Sequence, residues 1–126
     1  DTLVVPAGRA TLDGGAGKDT ASFVGSATPV QASLTAGFAR RVGTEPLEGV
    51  ALLSVENLTG SSLGDELTGS NTANKLVGGD GADELLGLGG KDNINSRDAR
   101  KNDTVNGGSG KDRCTTDRRE VSIKSC

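Results

Sequence analysis

Asp1, Asp19, Asp65, Asn74, Asp83, Asp92, Asp103 and Asp112 each stand two residues ahead of an apolar residue, and most of them close a glycine-rich turn. The cleanest turn is Gly78-Gly79-Asp80-Gly81-Ala82-Asp83. Gly14-Gly15-Ala16-Gly17-Lys18-Asp19 and Gly107-Gly108-Ser109-Gly110-Lys111-Asp112 match it, and Gly87-Leu88-Gly89-Gly90-Lys91-Asp92 is a looser copy. Residues of this kind suit a hard cation. Calcium takes six to eight oxygens from carboxylates and backbone carbonyls. A turn built on Gly14, Gly15, Gly17, Gly78, Gly79, Gly81, Gly87, Gly89, Gly107, Gly108 and Gly110 has no side chains to shield its carbonyls, and a terminal aspartate is short enough to point back into it. One turn supplies too few oxygens, so a second must stack upon it.

The spacing says which turns those are. Apolar residues recur nine apart at Leu58, Leu67, Leu76, Leu85 and Ile94, and again, after a two-residue insertion, at Val105, Cys114 and Ile123. The same register places Leu3, Leu12, Ala21 and Val30 near the start. A helix could not hold so many glycines. A strand of about three residues followed by a tight turn can, with the middle side chain inward and polar neighbours such as Glu66, Lys75, Glu84, Asn93, Thr104 and Arg113 outward. Two such units close a coil, and stacked coils give an all-β fold of two facing parallel sheets. Turns ending in Asp65, Asp83 and Asp103 then stack on one side, and those ending in Asn74, Asp92 and Asp112 on the other. Asp1 and Asp19 form a further pair, with several calcium ions held between coils. Glu56 occupies the acidic position ahead of Leu58. The insertion 96–102 either distorts its site or lends Asp98 as an extra ligand. Asp117 falls outside the register and is expected to matter less.

Composition agrees. The chain has 126 residues, 20 glycines, two phenylalanines, and no Trp, Tyr, Met or His, so its core must be thin layers of Leu, Val, Ile and Ala. Residues 24–59 break the repeat. They read as irregular coils or a hairpin excursion, with a turn at Pro46 and a helix over 45–55 left open. The division expected is one solenoid: N-terminal repeats at 1–23, the irregular part at 24–59, regular repeats at 60–115 and a cap at 116–126.

The turns resemble the RTX, or haemolysin-type, calcium-binding nonapeptide Gly-Gly-x-Gly-x-Asp-x-aliphatic-x. The likeness covers 60–115 well, 1–23 partly and 24–59 loosely, and Ser54-Val55-Glu56-Asn57-Leu58-Thr59-Gly60 looks like the segment that leads into such repeats. The departures are Leu63, Asn74 and the insertion. The resemblance implies a right-handed parallel β-roll, secretion or display at the cell surface, and folding triggered by calcium outside the cell. A secreted setting allows Cys114 and Cys126 to pair, although an intermolecular bridge or free thiols are the rival readings.

Other chemistry lacks parts. Two cysteines without histidine do not make a zinc site. Each Gly-Lys is followed by Asp, which fails the phosphate loop. No EF-hand order fits, because Ile94 falls where a ligand is needed after Asp92. No general base or nucleophile pair is present, so an enzyme is not expected. Residues 1–96 carry 12 acidic and 6 basic side chains, and residues 97–126 carry 5 and 8. The basic residues there alternate with acids and have no aromatic partners, which reads as a solvated face rather than a nucleic-acid surface. No apolar run is long enough to span a membrane. The chain starts mid-repeat without a signal peptide, as expected of a processed chain or a piece of a larger secreted protein.

Two further functions compete with a calcium-dependent structural module. Unpaired strand edges at the two ends invite head-to-tail assembly into a fibre. An adhesin or ice-binding face would need a regular threonine array, which Thr68, Val77, Leu86, Asn95, Asn106 and Thr115 do not supply.

Overall fold

The computed structural model describes residues 1–6, 8–43, 49–99, 102–117 and 122–126. Its regular elements are all strands: β1 (Thr2–Val4), β2 (Ala10–Asp13), β3 (Thr20–Ser22), β4 (Val30–Ser33), β5 (Phe38–Arg41), β6 (Gly49–Leu53), β7 (Asn57–Thr59), β8 (Glu66–Ser70), β9 (Lys75–Val77), β10 (Glu84–Gly90), β11 (Asn93–Asn95), β12 (Thr104–Asn106), β13 (Ser109–Gly110), β14 (Arg113–Thr115) and β15 (Ser122–Lys124). No helix occurs among the described residues.

The nine-residue repeat sends alternate strands to two sheets. The first sheet runs β1-β3-β7-β9-β11-β14, every neighbour parallel. The second runs β15-β12-β10-β8-β4-β5-β6-β2, and β13 adds to β10 at its C-terminal end. Registers follow the repeat, with Leu58 opposite Leu76, Leu76 opposite Ile94 and Leu67 opposite Leu85. Across the two-residue insertion the partners lie two residues further apart in sequence, Leu85 opposite Val105 and Ile94 opposite Cys114. The insertion is therefore absorbed in the turn and both ladders stay in phase.

The inward column is the core. Leu58, Leu67, Leu76, Leu85, Ile94 and Val105 are fully buried between the sheets. Each contributes on the order of 2 kcal/mol relative to an exposed side chain. The ends of the stack differ. Leu3 and Leu12 are half-buried. Ile123, which the repeat assigns to the interior, is 47% exposed, because β15 is the outermost strand of its sheet.

The irregular segment is a strand meander and not a helix. Where a regular coil would place one strand in the second sheet, the chain places β4, β5 and β6, antiparallel to one another. β4 lies parallel to β8 and β6 parallel to β2, so the excursion splices into the solenoid at both margins. Of the stretch 45–55 left open for a helix, 49–53 is strand β6, and 45–48 lie outside the described residues. Pro46 lies outside the described residues. Two extra strands in one sheet only, roughly 10 Å of added width, open a wedge. Val30, Ala32, Ala39, Val50 and Leu52 are buried there, in one core cluster with Phe23, the largest fully buried side chain among the described residues.

Cys114 and Cys126 form a disulfide, with Cα atoms 5.6 Å apart. It ties the middle of β14 to the residue that ends the described chain beyond β15, covering the open end of the core. Reduction is expected to cost about 3 kcal/mol by loop-closure reasoning. Thermal melts with and without reductant, at saturating calcium, check this. An unchanged midpoint would show that the last coil is held by other means.

Candidate metal centre in the stacked turns

Each turn-ending acid uses one carboxylate oxygen to hold the coil before it. The Asp65 amide donates to Asp83 Oδ1 at 2.8 Å, and the Asp83 amide to Asp103 Oδ1 at 2.9 Å. On the opposite side the Asn74 amide donates to Asp92 Oδ1, and the Asp92 amide to Asp112 Oδ1, both at 2.8 Å. Toward the start, Val30 donates to Asp65 Oδ1 and Asp19 to Glu56 Oε2. The two stacks expected from spacing are thus brought together, one coil apart, with Asp19, Asp65, Asn74, Asp83, Asp92 and Asp103 all buried.

The other oxygen is what points to a cation. Oδ2 of Asp19, Asp83, Asp92 and Asp112 is buried and accepts no hydrogen bond. A buried carboxylate oxygen without a partner is costly. Around these atoms the turns touch backbone to backbone. A Cβ at Gly78 would strike Asp83 Oδ2. One at Gly87 would strike both Asp92 Oδ2 and the Gly107 carbonyl, and one at Gly107 would strike the Ser125 carbonyl. Only glycine leaves this space, and its lining is carbonyl oxygen and carboxylate. No group of three or more Asp, Glu, His or Cys side chains converges among the described residues. A cation here would take most of its ligands from the backbone.

Backbone conformation separates open turns from closed ones. In the turn ending at Asp83, Gly79 and Gly81 have φ of 109° and 123°, the left-handed region that glycine enters freely. The turns ending at Asp65 and Asn74 contain no left-handed residue among their first five positions. They place Ser61 and Ser70 where Gly79 stands. The Ser61 amide donates to Asp65 Oδ2 at 2.5 Å and its hydroxyl reaches both carboxylate oxygens at 3.0 Å. Ser70 does the same for Asn74 Oδ1, through its amide at 2.7 Å and its hydroxyl at 3.1 Å. Asn74 Nδ2 donates to the Glu56 carbonyl. In these two turns the turn's own serine binds the acid or amide oxygen, whereas Oδ2 of Asp83, Asp92 and Asp112 accepts no hydrogen bond.

At the N-terminal end Asp1 lies beside Asp19. Its nitrogen meets Asp19 Oδ1 at 2.8 Å, while its own side chain is 94% exposed, so its carboxylate stays outside the turn. Nearby, the gap between the first two turns on the other side is bridged by Arg41. Its guanidinium donates to the Val5 and Pro6 carbonyls at 3.1 and 2.8 Å and to Ser26 Oγ at 3.3 Å. A tethered cation there gathers carbonyls from neighbouring turns.

Burial raises the carboxyl pKa values. Asp83 is pushed up to about 7, first by desolvation and then by the charges of Asp65, Asp103 and Asp98, against the lowering effect of the Asp65 amide. Desolvation also raises Asp92, with Asp112 adding to it, and raises Asp65, where the bonds from Ser61 and Val30 oppose it. A divalent ion would remove the penalty at Asp83 and Asp92 by supplying the missing opposite charge.

The insertion brings its own supports. Asp98 Oδ2 accepts the Gly81 amide at 3.1 Å, and Asp117 Oδ2 accepts the amides of Asp98 and Ala99 at 3.0 and 2.6 Å. Asp117 therefore anchors the inserted turn. It, Ser61, Ser70 and Arg41 escaped the repeat reading. For the serines the signal was present in the sequence, as a hydroxyl residue in the second place of a turn. Leu88 holds that same second place in the turn ending at Asp92 and is forced to φ 74°. Leu88→Gly should relieve about 1 kcal/mol of left-handed strain. The expected readout is a higher melting midpoint with calcium present, and a lower midpoint would show that the Leu88 side chain stabilises more than its backbone strains.

Stacked parallel coils, aspartate ladders and glycine-lined carbonyl cradles define a parallel β solenoid of the β-roll class. A family model described as the RTX calcium-binding nonapeptide repeat matches four copies, over residues 59–94 and 97–118. Residues 59–94 and 97–118, a little under half of the chain, thus match the RTX calcium-binding nonapeptide repeat. No curated protein matches the chain.

Proposed function

We propose that the chain is a secreted, extracellular structural module that remains loose without calcium and folds when the ion fills its open turns. The observation that carries this is the set of buried, partnerless Oδ2 atoms at Asp83, Asp92 and Asp112. As long as no cation or proton reaches them, those atoms oppose folding, and ion binding converts directly into folding free energy. We assign the ions to the open turns ending at Asp19, Asp83, Asp92 and Asp112, with Asp103 the carboxylate stacked on Asp83. The serine-closed turns at Asp65 and Asn74 hold none. The disulfide fits an oxidising compartment. Circular dichroism during a calcium titration, with magnesium as control, tests the reading. Strand signal should rise with calcium and not with magnesium. Full strand signal in the presence of chelator would overturn it.

A second reading is head-to-tail assembly, which would complete a coil where β15 leaves Ile123 exposed. Light scattering with and without calcium separates a monomer from a growing fibre.

A further inference from the structure

The outer face of the first sheet is formed by the flanking residues of β1, β3, β7, β9, β11 and β14, and none of them is acidic. Lys75 and Arg113 project from that face, and Lys18, Lys91 and Lys111 border it from the turns on one side. All five are exposed, and none has an ion-pair partner among the described residues. The acids on that side are the turn-ending Asp19, Asp92 and Asp112, which directly follow Lys18, Lys91 and Lys111, and Glu56, which is half-buried and occupied by the Asp19 amide. The second sheet contrasts, with Asp13, Glu66 and Glu84 on its outer face. In a chain of net charge −3, this outer face carries cations and no acid on its strands, whereas the second sheet mixes Arg40 and Lys124 with acids.

The cations are ordered by the coils. From the level of Lys18 to that of Arg113 is four strand steps, about 19 Å. Ala73 stands in the same column as Lys18 and Lys91, and its short side chain leaves a groove of about 300 Å³ framed by Lys18, Lys75 and Lys91 with Asn57 and Asn93 beside them. Neutral hydrogen-bonding groups, Thr59, Asn95 and Thr115, continue along the same strands. No aromatic lies on this face, since Phe23 is buried and Phe38 belongs to the second sheet, so it offers no platform for stacking nucleobases.

We propose that this face binds an acidic polysaccharide laid along the solenoid axis, its anionic groups on Lys18, Lys75, Lys91, Lys111 and Arg113 and its hydroxyls on the asparagines and threonines between them. The site goes beyond calcium binding. It needs the coils stacked, and because Lys18, Lys91 and Lys111 directly precede Asp19, Asp92 and Asp112 it is tested with the turns saturated with calcium.

The test is anisotropy of a labelled heparin oligosaccharide with the full chain at constant saturating calcium, with circular dichroism confirming that each variant is folded. The triple variant Lys18→Gln, Lys75→Gln, Arg113→Gln, none of them a turn aspartate, should weaken binding by about tenfold or more and flatten its salt dependence. The double variant Arg9→Gln, Lys124→Gln removes cations from elsewhere and should leave binding within about twofold. Neutral dextran should not compete, and single-stranded DNA of equal charge should compete more weakly than heparin. Undiminished binding by the folded triple variant, equal loss in the double variant, absence of heparin binding, or stronger competition by DNA would each overturn the proposal. A variant that binds heparin poorly but keeps its calcium midpoint separates failure of this face from failure of the turns.

Discussion

Asp83→Asn is expected to raise the calcium needed for half-maximal strand signal by about tenfold or more, and at the same time to make the calcium-free chain more ordered. The two oxygens of Asp83 have different tasks. Oδ1 accepts the Asp65 amide, a bond that an asparagine oxygen can keep. Oδ2 faces the glycine cradle without a partner. An amide nitrogen placed there meets carbonyl oxygens as a donor, so the metal-free turn is satisfied. It also removes a charge that repels Asp65, Asp103 and Asp98. What stabilises the empty turn is what excludes the ion, because a neutral amide donor cannot ligate calcium. Asp83→Ala should behave differently, losing the coil-to-coil bond as well and gaining no order without calcium. Asp65→Asn, at a turn already closed by Ser61, should move the calcium midpoint by less than about threefold. Equal midpoints for wild type and Asp83→Asn would remove Asp83 from the ligands.

How far the sequence could be read follows from the same distinction. The aliphatic ladder from Leu58 to Val105 and the stacking of Asp83 on Asp103 and Asp92 on Asp112 were legible, because a strict nine-residue period leaves a parallel two-sheet solenoid little freedom. The meander at β4–β6 has no period, and its splice onto the parallel coils depends on contacts between distant residues such as Gln31 with Glu66. Arg41 reaches carbonyls more than thirty positions away, which no local pattern encodes. Openness of a turn depends on the sign of φ at its second and fourth places. Ser61 and Ser70 were visible as departures from glycine, yet their consequence, a turned backbone that fills its own carboxylate or amide site, appears only when the hydrogen bonds are traced.

Acid should order the calcium-free chain and weaken its hold on calcium, both centred on Asp83. Its carboxyl is raised from 3.8 to about 7 in the folded state, chiefly by burial. A carboxyl with a raised folded pKa binds its proton more tightly when folded. The stability it contributes is therefore fully present below about 3.8 and is lost as the pH rises through about 7. Asp92 and Asp65 shift in the same direction and widen the window. In chelator, strand signal should grow as the pH falls from about 7 toward about 4. With calcium the sign reverses. The proton and the ion compete for the same buried oxygen, so below neutrality the midpoint should climb by up to about tenfold per pH unit for each proton displaced. Asp83→Asn, which holds no proton there, should flatten much of that climb. A calcium midpoint that stays constant from about pH 8 to about pH 5 would mean that calcium binding displaces no proton from these carboxyls, and that the charges gathered at Asp83 are neutralised by something other than the ion.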